Sequence, residues 1–298
     1  MIASSSIKIY DHILKSVMSN GTEFFKRIDC WKDTKERAKN YPTPISEKIS
    51  NSPIIQSCDG TKHTEILVQN MDSIDCGLYW KSKGFNPVVL NLADDCFPGG
   101  CVDLGSGAQE ESLYRRTNLC ETLNLSMYPI KNHQLIYSNN VSIFKTSEQD
   151  GWKIIDPIPM SFITCPGIRN PHLNWPDLDC KLADARFKDK DVTILSEKIR
   201  NILRIALAKG HDIPILGAMG CGAWKNPNKH VAEVFKNVLE EQEFKCVFQY
   251  ITLAIKKFNG HSQYISINYD KFEDNYDVFS HYFLELYNRH RSKPYECS

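Results

Sequence analysis

Residues 87–116 read PVVLNLADDCFPGGCVDLGSGAQEESLYRR. The opening run, Pro87 to Ala93, is short, apolar and bounded by turn formers, which predicts a buried strand. Gly99, Gly100, Gly105 and Gly107 then punctuate a loop, and Gln109-Glu110-Glu111 begin a helical pattern. This order of strand, glycine loop and acidic helix start presents carboxylates to a bound ligand. Glycines let backbone N–H groups come close and adopt positive φ at no steric cost, and glutamates serve proton transfer. Ser106 and Gln109 also fit an S-x-x-Q capping box, and glutamates in a first turn complement the helix dipole. Capping accounts for the triplet alone; it leaves unexplained the glycines and the Asp94, Asp95 and Asp103 that crowd one loop.

The chain of 298 residues is long enough for one large α/β domain or two small ones. Lys+Arg and Asp+Glu both number 36, so net charge provides no long-range capture of nucleic acid or of an anionic membrane, and neither is an expected partner. Apolar runs fall short of a membrane span, and the start MIASSSIKIYDHILK lacks the apolar core of a signal peptide. The eleven cysteines are odd in number and contain no C-x-x-C pair. These features predict reduced thiols, no structural zinc site, and a cytoplasmic or nucleocytoplasmic location.

The first 60 residues differ from the rest. They suggest an amphipathic helix near Ile7 to Met18, a charged segment to about Lys39 and a connection through Pro42, Pro44 and Pro53, hence a helical N-terminal extension (1–60) ahead of a catalytic domain (61–298). From Thr64 strand-like and helix-like patterns alternate: strands over 64–70, 87–93, 134–137, 141–144, 160–165, 212–218 and 246–255, and helices from Asp72, from 109 to about 123, over 193–209 and around 231–239. An aromatic tail with Tyr276, Phe279, Phe283 and Leu286 at helical spacing adds a packing helix. The fold class is α/β, a mixed sheet flanked by helices.

A second glycine loop, GAMGCGAWKNPN (217–228), joins the DIPILGA strand to the next helix, with Asn226 as expected N-cap and Pro227 as first helical residue. Free N–H groups at a helix start suit a phosphate, although a tight turn packing helix on strand has the same signature. The loop matches neither the P-loop nor the dinucleotide fingerprint. Both loops fall at the C-terminal ends of strands, where ligands of α/β sheets bind. Trp224 offers an aromatic face to a ribose or base, or is an edge tryptophan of the core.

The two loops together resemble the macrodomain fold and, more closely, the microbial-type poly(ADP-ribose) glycohydrolase family. That family has a strand, a glycine triplet and a later Gln-Glu-Glu, followed far downstream by a G-x-x-G-C-G-x-aromatic loop. VVLNLADDCFPGGCVDLGSGAQEESLYRRTNL and ILGAMGCGAWKNPNKHVAEVF carry the likeness here, and LIYSNNVSIFK and MSFITCPG extend it over about 64–255. The resemblance implies Glu111 as the catalytic acid/base, Glu110 as the residue holding the sugar of the leaving side, and Gln109 as the residue fixing the helix start. Gly99, Gly100 and Cys101 would line the distal ribose and pyrophosphate. Gly217, Gly220, Cys221, Gly222 and Ala223 would cradle the diphosphate, with Trp224 beside the ribose. Asp72 matches the acidic residue that macrodomains place near adenine, and is equally a plain N-cap. No metal or other cofactor is implied.

Cys101 departs from the family by standing at the third glycine, where its side chain is expected to crowd the loop. Asp94, Asp95 and Asp103 would repel a polyanion and suit a cationic attachment point such as an ADP-ribosylated arginine, unless they are solvated loop charges. The implied activity is glycohydrolysis of ADP-ribose units on polymer or protein. A mono-ADP-ribosyl-arginine hydrolase and a non-catalytic ADP-ribose reader are the alternatives, and a hydrolase using Cys101 or Cys221 is the weakest reading.

Overall fold

The computed structural model describes residues 21–54, 64–177, 179–257 and 273–291; the helix expected near Ile7 to Met18 lies outside them. Helix α1 (residues 21–38) leads into β1 (Ile45–Ile49), β2 (Glu65–Gln69), α2 (Ser73–Ser82), β3 (Pro87–Asn91), α3 (Gln109–Arg116), β4 (Leu135–Lys145) and β5 (Ile154–Thr164). A short ribbon of β6 (Leu173–Asn174) and β7 (Arg186–Phe187) precedes α4 (Asp189–Ala208), β8 (Ile213–Leu216), α5 (Asn228–Leu239), β9 (Tyr250–Ala254) and α6 (Asn275–Arg291).

Seven strands form one mixed sheet in the order β1-β4-β5-β3-β8-β9-β2. β5, β3, β8, β9 and β2 run parallel, while β4 is antiparallel to both β1 and β5. All five residues of β3 are buried, as a central parallel strand covered on both faces requires. Its side chains alternate between two cores. Val88 and Leu90 join Leu195, Ile199, Val231, Phe235 and Phe279 of α4, α5 and α6, whereas Val89 joins Trp31, Ile74, Trp80 and Leu113 of α1, α2 and α3. The aromatic tail is therefore a packing helix, as its spacing suggests, with Phe279 and Phe283 buried.

Several boundaries differ from the sequence expectation. The acidic helix ends at Arg116 because Thr117 turns extended and bridges to Ile143, and Asn118 spends its side chain on Ser142 N and Pro42 O. β5 begins at Ile154, before the prolines 157 and 159 that masked it in the sequence. Residues 246–249 are turn and irregular backbone rather than the start of the last strand.

The N-terminal segment is built into this body. β1 is an edge strand of the sheet, hidden in the sequence because ISEKI exposes most of its residues. Helix α1 lies against the glycine loop. Trp31 is buried and donates from Nε1 to Asp103 Oδ1 at 2.7 Å, and Lys35 reaches the same oxygen at 3.2 Å. Thr34 donates to Arg115 O at 2.7 Å, and Lys145 Nζ reaches Thr34 Oγ1 and Asp33. Burying a tryptophan in this seam contributes substantially, and Trp31→Ala is expected to destabilise the protein by about 3 kcal/mol in urea unfolding. A loss within experimental error would show that α1 is not part of the cooperative fold.

Candidate active site

Adjacent parallel strands β5, β3 and β8 end side by side, and their C-terminal loops (165–170, 92–108 and 217–227) converge. Contact between them is backbone-close. A Cβ placed on Gly167 would lie 2.9 Å from the Cα and N of Gly220, and one on Gly217 would meet Leu92 at 3.3 Å. Gly220 itself has φ +71 and stands over the Asn226 amide.

The first loop folds back on α3. Gly99 (φ +79) rests on the Tyr114 ring, where a Cβ would come within 2.6 Å. At Gly100 (φ +54) a Cβ would lie 2.8 Å from Glu111 Oε1 and 3.2 Å from Glu110 Oε2. Both glutamates therefore sit directly beneath this backbone, and both are buried. Glu111 Oε1 accepts from Cys101 N at 3.0 Å. Glu110 accepts from Asp94 N at 2.7 Å, Gly99 N at 3.2 Å and Asn91 Nδ2 at 3.3 Å. Burial pushes the Glu110 carboxyl up to about 8; these donors oppose the shift and the charge of Glu111 adds to it.

Gln109 anchors the helix start, though not through the expected capping box. The N-cap is Ala108, with no side-chain cap. The Gln109 amide instead accepts from Leu92 N at 2.9 Å and donates to Leu90 O at 2.8 Å and Ser73 Oγ at 2.9 Å, tying α3 to the end of β3 and the start of α2. Asp72 does cap α2, accepting from Ile74 N and Asp75 N, and the same oxygen receives buried Arg116 at 2.6 Å.

Cys101 does not strain the loop, since its φ of −102 is ordinary and its side chain points outward. Its thiol is nevertheless a poor nucleophile: burial, Glu111, Asp94 and Glu110 all push its pKa up, as burial does for Cys221.

Each of the three aspartates is engaged by a side chain from elsewhere in the fold, although Asp103 itself stays largely exposed to solvent. Arg169, in the loop after β5, reaches Asp94 Oδ2 and Asp95 Oδ1 at 2.6 Å each, and its guanidinium lies 4.7 Å from the centre of the Trp224 ring. Asp103 is engaged by α1. The expectation that these charges face a cationic substrate thus omitted the chain's own cations. Their partners lie 68 to 75 positions away in sequence, so no local pattern showed them.

In the second loop the N–H groups of Cys221, Lys225 and Asn226 close turns within it. Gly222 and Ala223 are exposed, Trp224 is half-buried, and nothing lies within 4 Å of where a Gly222 Cβ would stand. The cap expectation is shifted by one residue: Pro227 is the N-cap and Asn228 opens α5. Asn226 is diverted to Ile168 O at 2.8 Å, cross-linking the loops after β5 and β8. Sequence reading also missed Asn91, and Tyr128, whose buried phenol faces Glu110 and Asp94.

The fold is shared with solved poly(ADP-ribose) glycohydrolases. The family model "Microbial-type PARG, catalytic domain" matches residues 18–146, a span that includes α1, the first glycine loop and both glutamates. The crystal structure of poly(ADP-ribose) glycohydrolase from Thermomonospora curvata has a TM-score of 0.68 at 20% identity, covering 86% of this chain and 98% of that one. The chain has the microbial-type PARG fold. The same enzyme bound to the inhibitor ADP-HPD gives a TM-score of 0.66 at 20% identity, over 86% of this chain and 98% of that one. A Deinococcus radiodurans PARG in complex with ADP-ribose gives 0.58 at 24%, over 76% and 86%. No curated protein matches by sequence at a significant level. The PARG family match ends before the second loop, so that half of the cleft is supported by the shared fold alone. Among the described residues, no helix is long and apolar enough to cross a membrane.

The raised Glu110 carboxyl has a consequence for stability. Between about pH 4.5 and 8 the unfolded carboxyl is ionised while the folded one keeps its proton. The stability it contributes is therefore full below 4.5 and is lost as pH rises through 8. Glu110→Gln, which cannot titrate, is expected to show a flatter melting temperature between about pH 5 and 8 than the parent. Parallel profiles would show that Glu110 does not retain its proton.

Proposed function

We propose that this protein is an ADP-ribosyl glycohydrolase that cleaves the anomeric bond of ADP-ribose units, with Glu111 as acid and then base. The observation that carries this reading is the pair of buried carboxylates folded under Gly99 and Gly100 in the loop after β3, the strand that pairs with β8 ahead of the second glycine loop. Protonated Glu111 gives its proton to the leaving oxygen as the anomeric C–O bond breaks, and the sugar passes through an oxocarbenium-like state. Water then adds to the anomeric carbon while the Glu111 carboxylate takes its proton, leaving ADP-ribose with a new hydroxyl. Glu110 holds the sugar of the leaving side and Gly99, Gly100 and Cys101 line the distal ribose. Gly217, Gly220, Cys221, Gly222 and Ala223 cradle the diphosphate with Trp224 beside the ribose, and Asp72 remains the adenine-side candidate while capping α2.

Polymer is favoured over arginine-linked units. Arg169 engages both Asp94 and Asp95 and offsets one of their two charges, which weakens repulsion of a polyanion and fills the place that a substrate guanidinium would take.

Glu111→Gln is expected to bind ADP-ribose with unchanged affinity while release of ADP-ribose from polymer falls by about 10³-fold or more. Undiminished release would remove Glu111 from its role, and a parent protein that binds without turnover would be a reader. Arg169→Gln should raise KM for polymer about tenfold at low salt and less at high salt. Arginine-linked substrate cleaved faster than polymer by the parent protein would reverse the preference.

A further inference from the structure

The turn from Gly99 to Ser106 carries one charged residue, Asp103, and the glycohydrolase reading gives it nothing to do. Its side chain is 73% exposed, yet it receives the indole N–H of Trp31 at 2.7 Å and the Lys35 ammonium at 3.2 Å. The two contacts differ in kind. Lys35 is long and about half exposed, and a surface pair of that sort contributes little. Trp31 is buried, so its N–H is a donor fixed in place, and a hydrogen bond to an ionised acceptor is among the stronger ones.

Trp31 also supports the other end of the same turn. Its ring packs on Tyr114 with centroids 5.9 Å apart, and Gly99 rests on that Tyr114 ring. One side chain of α1 therefore holds the turn at Gly99 and at Asp103. Gly105 adds a third point, since a Cβ there would stand 2.9 Å from Phe24 O. Within the turn, the N–H groups of Val102, Leu104, Gly105 and Ser106 close on the carbonyls of Gly99, Cys101 and Val102. Those bonds brace the turn internally, so its placement over α3 depends on what it meets outside. Between the supported points lies Cys101, whose N–H donates to Glu111 Oε1 at 3.0 Å. Among the described residues, no other hydrogen bond falls on the Glu111 carboxylate.

We propose that Asp103 is a positioning residue for the acid/base: held by the buried indole of Trp31, it fixes the 99–106 turn so that the Cys101 N–H holds the Glu111 carboxylate in its working orientation. The proposal rests on the assignment of Glu111 given above. The terminal torsion of a glutamate is soft and broad, so a carboxylate gripped at one oxygen keeps an orientation that it would otherwise lose. The other oxygen is left for the reacting sugar. Misplacing a reacting group by about 1 Å costs about a hundredfold in rate, so a modest slip of the turn reads out in kcat. The diphosphate contacts lie on the second loop in the proposed complex, and affinity therefore changes less than rate.

The test compares D103A with D103N in the full chain. Asparagine keeps an oxygen for the Trp31 N–H, and alanine does not. In D103A, kcat for release of ADP-ribose from polymer is expected to fall about tenfold or more, while the Kd for ADP-ribose changes by less than about threefold. D103N should keep kcat within about threefold of the parent. Hydrogen exchange over residues 99–106, read by mass spectrometry, should speed up about tenfold in D103A and stay near the parent in D103N. W31F, which keeps a ring on Tyr114 but has no N–H to donate, should repeat the D103A result, and the double variant should be no slower than either single one. Unchanged kcat or unchanged exchange in D103A overturns the proposal. So does an equal loss in D103N, which would assign the effect to charge, or a loss of affinity with kcat intact, which would make Asp103 a substrate contact. Should W31F not fold, the D103A and D103N pair decides alone, because so exposed a side chain tolerates both changes. Exchange is read without substrate. An unmoved turn in D103A therefore sinks the positioning argument, whereas polymer left uncleaved by the parent sinks the glycohydrolase reading.

Discussion

The candidate site depends on how closely a backbone can approach two carboxyl groups. Gly99 lies on the face of Tyr114 and Gly100 over Glu110 and Glu111, at separations where a Cβ would collide with ring or carboxylate. Only glycine combines that proximity with the positive φ found at both positions. The carboxylates in turn accept N–H groups from the loop, at Asp94, Gly99 and Cys101. Loop and helix therefore define each other: the glycines allow the approach and the glutamates satisfy the donors it buries.

An eight-residue helix has little stability of its own, so α3 is held from several directions. Gln109 fixes its start to β3 and α2, Arg116 fixes its end to the N-terminus of α2, and α1 covers its outer side through Thr34. Gly105 and Gly107 extend the same contact, since a Cβ at either would strike Phe24 or Arg27 of α1. Helix α1 thus packs on the loop and helix that carry the two glutamates, and the PARG family match over residues 18–146 includes it.

Charge in this region is organised in pairs that span the fold. Arg169 joins the loop after β5 to that after β3 and stacks on the loop after β8, so one guanidinium links all three. Arg27 and Glu148 pair behind the helix, and Arg116 pairs beneath it. Against this background, Arg115, whose guanidinium has no hydrogen-bond partner, and Glu110, whose carboxyl burial pushes up to about 8, are the exceptions.

Sequence alone determined the α/β class, the two glycine loops, the acidic helix start and the order that places both loops at strand ends. These features are local: period, turn chemistry and a triplet of residues declare themselves within about 30 positions. Tertiary structure decided the rest. It turned Gln109 and Asn226 from expected caps into cross-links, because buried amides satisfy whichever backbone groups the neighbouring loops present. It made a sheet edge of ISEKI, whose exposure erased its pattern. It also paired Asp94 and Asp95 with Arg169, and Asp103 with Lys35, cations far away in the chain. An ion pair needs proximity in space only, so the charge that a substrate meets at this cleft is set by the fold and cannot be read from the loop that carries it.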